Sequence, residues 1–228
     1  MNSSDRGAVS TVRLFRDRAD AGRALARHLS AYRGRHVVVL GIPRGGVPVA
    51  SEVAWELDAE LDVVVARKLG APGFEELAIG AVTANGGRFL NESLIRELGV
   101  STSYLEAVTA RERAEALRRE AEFRGTGPPA VLEGRSVIIV DDGLATGATM
   151  RAAVRSVRQR RPGRLIVAVP VGAPDACAAL RSEADEVVCP HEPAAFFAVG
   201  AYYDRFEPTE DDEVRRLLAA AQAVSAER

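Results

Sequence analysis

The sequence predicts an α/β protein built on a doubly wound, mainly parallel five-stranded sheet with helices on both faces. Three observations predict it. Five short runs rich in β-branched residues recur along the 228 residues, apolar without alternation, as strands buried on both faces are. Segments of helical periodicity separate them. The links are short, which suits parallel strands joined by crossover helices.

The bulk properties agree. The chain is 47% hydrophobic and 27% charged, ordinary for a globular protein, and long enough to bury a full core. A formal net charge of -2 supplies no global basic field, so nucleic acid is not an expected partner. The polar start, MNSSDRGAVS, has no apolar leader behind it, and no run approaches membrane-spanning length. Cys177 and Cys189 lie without visible metal-ligand company and read as free thiols in a reducing compartment. Together these predict a cytoplasmic protein with no membrane partner.

Residues up to about Val9 read as a disordered lead-in. A helical pattern begins at Phe15, with Ala19, Gly22, Leu25, Ala26 and Leu29 on one face. Residues 36–40 (HVVVL) form the first strand and lead through GIPRGGVPVA into a helix over 48–57. Gly45 and Gly46 allow a ligand close to the backbone, and Arg44 offers a fork suited to phosphate oxygens. Taken alone, the glycine pair is better explained as a plain strand-to-helix turn. Residues 61–66 (LDVVVA) form the second strand, ending on Arg67 and Lys68, at the carboxyl end where open α/β sheets place their ligands.

From 69 to 133 the rhythm changes. Gly70, Pro72 and Gly73 predict a loop, and residues 78–83 and 88–90 a hairpin across Asn85-Gly86. A short helix follows over 92–98. Ser101 is the expected N-cap of a long helix to about Phe123, with a thin apolar stripe of Leu105, Val108, Ala114, Leu117 and Ala121. Its mixed charges read as a solvated face, with a lid or dimer contact as the competing reading.

The third strand opens VIIVDDGLATGATM, residues 137–150. It ends in Asp141 and Asp142, and a small-residue loop then enters a helix over 148–159. Such a loop offers backbone N–H groups and a helix N-terminus to a phosphate. The aspartates can accept from sugar hydroxyls or hold a metal-bound water. Strand 165–169, helix 174–180 and strand 185–189 complete the alternation. In the order 2-1-3-4-5 the switch point falls between the first and third strands, so the Arg44 loop and the Asp141 loop become one site.

Beyond Pro190 the pattern breaks. Phe196, Phe197, Tyr202, Tyr203 and Phe206 crowd together in a chain that is only 5% aromatic, as core under a loop or as a stacking platform. Thr209 is the expected N-cap of a terminal helix with an acidic first turn. His28 and His191 receive no role.

VIIVDDGLATGAT resembles the ribose-phosphate signature of type I phosphoribosyltransferases, and GIPRGGVPVA is similar to their pyrophosphate loop. The resemblance runs from about Phe15 to Phe206. It implies a single domain over 1–228, with a flexible-loop and helical insertion at about 69–133 and a hood-like segment at about 190–209. It implies transfer of the phosphoribosyl group of 5-phosphoribosyl 1-pyrophosphate (PRPP), with magnesium, to a nitrogenous acceptor, as in nucleotide metabolism. On this resemblance Asp141 and Asp142 hold the ribose hydroxyls, and Ala145, Thr146, Gly147, Ala148 and Thr149 hold the 5-phosphate. Arg44, Gly45, Gly46, Arg67 and Lys68 hold pyrophosphate, and Lys68 assists its departure. Asp141, Asp142, Arg44 and Lys68 form the catalytic set, with a cis Pro43–Arg44 peptide in the loop. Phe197 stacks on the acceptor, Asp204 faces the metal, and a homodimer is within the family's range.

The acceptor stays open. The hypoxanthine–guanine branch carries an aspartate where this chain has Ala145, and a lysine after the next strand where it has Val169-Pro170-Val171-Gly172. VDDGLATGAT is closer to the adenine branch, whose pyrophosphate loop is missing, while FFAVGAYYDRF resembles the hypoxanthine–guanine tail. The alternative is a non-catalytic PRPP or nucleotide sensor on the same fold. A dehydrogenase lacks its G-x-G-x-x-G after the first strand, and a P-loop hydrolase its Gly-Lys-Ser/Thr.

Overall fold

The computed structural model describes residues 13–226; the lead-in expected up to Val9 lies outside them. Helix α1, Arg18–His28, begins at the Asp17 cap, whose side chain accepts from the Asp20 amide. This is three residues later than the apolar pattern suggests, because Phe15 is held in a bridge to Tyr203. Strand β1, Val37–Gly41, feeds helix α2, Gly46–Leu57, and strand β2, Glu60–Val63. Strands β3, Ala66–Ala71, β4, Phe74–Thr83, and β5, Arg88–Leu90, follow, then helices α3, Glu92–Glu97, and α4, Thr102–Arg124. Strand β6, Ser136–Val140, helix α5, Ala148–Gln159, strand β7, Arg164–Ala168, helix α6, Pro174–Leu180, and strand β8, Glu186–Val188, complete the alternation. Helix α7, Asp211–Ala226, ends the described chain. It starts at Asp211, so Glu210 rather than Thr209 takes the position before the first turn.

The main sheet runs β2-β1-β6-β7-β8, all parallel, which is the expected 2-1-3-4-5 order. Because side chains alternate across a strand, each apolar run serves two cores. Val37, Val39, Ile138 and Val140 pack with α1 and α2, while Val38, Leu40, Val137 and Ile139 pack with α5 and α6. Truncating one of these fully buried side chains, such as Ile138→Ala, costs about 2–5 kcal/mol. Gly41 pairs with both Val63 and Val140, so β2, β1 and β6 end level and their loops emerge side by side.

The second sheet, β3-β4-β5, is antiparallel and corrects the sequence reading. Residues 66–71 are a strand rather than the exit of β2 into a loop, so Arg67 and Lys68 sit on the second sheet. Its ARKLGA pattern is too polar to read as a strand. This sheet packs on α5 through Ala81, Phe89, Ala148 and Ala152.

The inner stripe of α4 also differs. Its buried residues are Val108, Glu112, Ala116, Glu120 and Phe123, whereas Leu117 is 60% exposed. The buried face is longer than its apolar residues because arginines cover its two glutamates. Arg67 bonds Glu112 at 3.0 Å, and Arg124 bonds Glu120 and Asp62, both at 3.0 Å. Among the described residues no helix is long and apolar enough to cross a membrane.

Candidate active site

The level strand ends put two glycine loops in contact. The Ile42 amide donates to the Val140 carbonyl at 2.9 Å, and the Pro43–Arg44 peptide that follows is cis. Gly45 and Gly46 then pass directly over the aspartate pair. A Cβ on Gly45 would lie 2.1 Å from Asp142 Oδ2, and one on Gly46 would lie 2.9 Å from Asp141 Cα. Real Cβ atoms do not approach so closely, so the acidic pair itself requires glycine at both positions.

The helices leaving these loops share another property. Helices α1, α3 and α4 are capped by the side chains of Asp17, Asn91 and Ser101. Helices α2 and α5 start at Gly45 and Gly147, with no side-chain cap. In α2 the Gly46 amide already donates to the Ile42 carbonyl at 3.0 Å and the Val47 amide to the Arg44 carbonyl at 3.2 Å. Of the two it is therefore the α5 start that offers first-turn amides, with the helix dipole behind them, to an anion. In the second loop Ala145 and Thr146 are exposed, Thr149 is half-buried, and Gly147 has φ +75°, the left-handed region glycine tolerates best.

The acidic pair is electrostatically loaded. Burial lifts Asp141 well above the usual carboxylate range, and the adjacent Asp142 charge adds to the shift. Among the described residues Asp141 accepts from the Asp142 amide at 2.9 Å and has no ion pair. Burial raises Asp142 too, with Arg18 pulling the other way.

Arg18 was not singled out from the sequence. Its Nε donates to Asp142 Oδ2 at 2.8 Å and its Nη1 to the Glu207 carbonyl at 2.7 Å, while its guanidinium lies 3.9 Å from the Phe206 ring centroid. Tyr203 closes the same side, donating its hydroxyl to the Asp142 carbonyl at 2.5 Å. Burial and the Asp142 charge raise its phenol above the ordinary value. Only the chain's passage from α1 to the 190–209 segment brings these groups together, and no local motif marks it.

Other expected residues spread around this centre. Arg44 is half-exposed and extends towards the first turn of α7, 3.7 Å from Asp211 and 3.9 Å from Glu210. Arg67 and Lys68 line a cleft of about 430 Å³ that also includes Thr149, Tyr104 and Glu112, so the second sheet brings them beside the second loop. Lys68 bonds Glu76 at 2.9 Å. Phe197 is 70% exposed and stands outside the aromatic cluster of Phe15, Phe196, Tyr202, Tyr203 and Phe206. Its neighbour Val199 packs where a Gly143 side chain would be, 2.5 Å from the Cβ position, so this segment abuts the second loop. Asp204 turns outward, 3.6 Å from Arg13.

The sequence profile of the phosphoribosyl transferase domain matches residues 14–205. Two curated Mycobacterium tuberculosis proteins, from strains CDC 1551 and H37Rv and both provisionally named phosphoribosyl transferases, are each 47% identical over 216 residues. The match covers 95% of this chain but 49% of each relative, so the chain spans about half the length of the curated relatives it matches. The crystal structure of TT1426 from Thermus thermophilus is 46% identical, with a TM-score of 0.76 over 91% of this chain and 98% of that one.

Proposed function

The chain belongs to the phosphoribosyltransferase family, and from that premise we propose that it transfers the 5-phosphoribosyl group of PRPP to a nitrogenous, nucleobase-like acceptor, releasing pyrophosphate. The observation that carries the proposal is the contact between the two glycine loops at the aspartates, with Gly45 over Asp142. An open helix start at α5 on one side of two carboxylates, and a glycine loop carrying Arg44 on the other, suit a sugar phosphorylated at both ends.

In this reading the amides of residues 145–149 and the Thr146 and Thr149 hydroxyls hold the 5-phosphate. Asp141 and Asp142 accept from the ribose hydroxyls. Gly45, Gly46 and Arg44 receive the pyrophosphate, with Arg67 and Lys68 of the second sheet closing on it from the cleft shared with Thr149. Cleavage at the anomeric carbon leaves an oxocarbenium-like centre, so negative charge grows on the departing pyrophosphate and these cationic donors stabilise it. Phe197, exposed beside the second loop, would stack on a flat acceptor. We read residues 1–228 as one domain, with 69–133 as its insertion and 190–209 as its hood.

The donor set fits magnesium. Two adjacent, desolvated carboxylates supply hard oxygen ligands whose mutual repulsion a divalent cation relieves. Asp141 and Asp142 would hold it, directly or through water, and when bound it neutralises charge on the leaving group. Asp204, directed at Arg13, would have to leave that partner to take part.

The test is a screen of purified protein, magnesium and PRPP against a panel of bases, read by pyrophosphate release. Release with one acceptor, abolished in Asp142→Asn, is the expected result. Tight PRPP binding without turnover for any acceptor would instead establish a sensor, and absence of PRPP binding would sink both readings.

A further inference from the structure

Away from the cleft, the fold gathers one more set of side chains with ligand chemistry. Cys177 on α6, Cys189 just beyond β8 and Glu192 bring two sulfurs and a carboxylate oxygen within 4.8 Å of one another. Their sequence positions gave no sign of this company, because Glu192 arrives through the irregular turn at Pro190. Both cysteines are free; Cys177 is fully buried and Cys189 half-buried.

Gly172 packs against both sulfurs. A Cβ there would lie 2.7 Å from Cys177 Sγ and 3.2 Å from Cys189 Sγ, so only glycine lets the backbone pass the pair without pushing the sulfurs apart. Cys189 Sγ donates to the His191 carbonyl at 3.3 Å, which orients it beside Cys177. A soft cation takes the place of the thiol protons when it binds.

We propose that Cys177, Cys189 and Glu192 bind one thiophilic divalent cation of the zinc type, with a fourth position open to water. Tetrahedral zinc with bonds of about 2.3 Å to two thiolates sets their separation at about 3.8 Å, inside the observed spread. Sulfur ligands favour zinc over magnesium, so the site does not compete for the cation of the aspartate pair. Two thiolates and a carboxylate carry three negative charges, which the cation and Arg181, ion-paired with Glu192, together balance. Binding releases the thiol protons to solvent, so affinity rises with pH.

The site braces the phosphate loop from behind. The Leu144 amide donates to the Val171 carbonyl at 3.0 Å, the Ala173 amide to the Leu144 carbonyl at 2.7 Å, and the Gly172 amide to the His191 carbonyl at 3.0 Å. A cation joining α6 to the end of β8 would fix the strand ends on which that loop rests.

The deciding experiment titrates cobalt(II) into the fully reduced full-length chain, after a thiol count of two. One equivalent should bind, with a near-ultraviolet thiolate-to-cobalt charge-transfer band that zinc displaces, and Tm should rise. Because Cys177 is buried and its serine variant risks unfolding, Cys189→Ser is the decisive variant: it should melt as a folded protein and lose the band. Glu192→Gln should keep the band and bind at least roughly tenfold more weakly, the loss that removing even an outer partner produces. No band with both thiols reduced, a band that survives Cys189→Ser, or affinity indifferent to Glu192→Gln would each overturn the proposal. None of these readouts depends on transferase activity.

Discussion

Gly45 and Gly147, one in each loop at the sheet's switch point, are held for opposite reasons. In the first, residues 43–46, glycine is required by what lies against it: Asp142 and Arg18 occupy the space a Gly45 side chain would need. In the second, residues 143–149, Gly147 has only ordinary neighbours, the nearest 3.6 Å from its Cβ position, and is held by φ +75°. One loop is closed against the protein, while the other leaves Ala145 and Thr146 facing solvent.

The strongest way to break this contrast is to remove the closed side's cation. Arg18 and Asp142 are 12% and 15% exposed, so Arg18→Gln strands a buried carboxylate and should cost about 3 kcal/mol or more in chemical denaturation. The exposed pair of Arg205 and Asp17 is the control; Arg205→Gln should cost under about 1 kcal/mol. Equal losses would mean that Arg18 does not support the acidic pair.

Glycine substitution separates the loops more finely. Gly45→Ala forces Asp142 or the loop to move, an overpacking cost of about 1–3 kcal/mol, and should weaken PRPP binding with it. Gly147→Ala meets no collision and should cost only the roughly 1–2 kcal/mol of a left-handed non-glycine residue. A reversed order, measured by denaturation of both variants, would overturn the contrast.

How far this was readable in the chain depends on where each signal lies. The central strands β1 and β6 were legible because they are buried on both faces, and VIIV or HVVVL needs no context to say so. Strand β3 was not, since ARKLGA carries its charges into the cleft and onto α4. The buried stripe of α4 was hidden because Glu112 and Glu120 count as surface residues until Arg67 and Arg124 are placed on them. Both glycine loops announced themselves as motifs. Arg18 could not, because its partner is 124 residues away and no pattern records that distance.

Between the loops, Asp141 sharpens the contrast through pH. Its folded-state titration lies above the unfolded value of 3.8, chiefly because burial disfavours the charge. The protonated form is the one the fold prefers, so its contribution is complete below pH 3.8 and is lost as pH rises through the folded value. Asp141→Asn carries no charge to bury. Its stability advantage over the native chain should therefore grow from acid to neutral pH, while PRPP binding falls. Thermal melts across that range that stay parallel for the two chains would show that the carboxylate carries no such load.

The smallest effect on stability belongs to the open side. Thr146 is exposed and uncommitted to a hydrogen bond among the described residues, so Thr146→Ala should change stability by less than about 0.5 kcal/mol. If the loop is a phosphate cradle, the same substitution removes a donor to a charged oxygen, worth about 1.5–3 kcal/mol, or roughly ten- to a hundredfold in affinity. Calorimetric titration with PRPP reads that loss directly. A variant that neither destabilises the fold nor weakens PRPP binding would leave the loop as a plain turn and return the phosphate to some other set of donors.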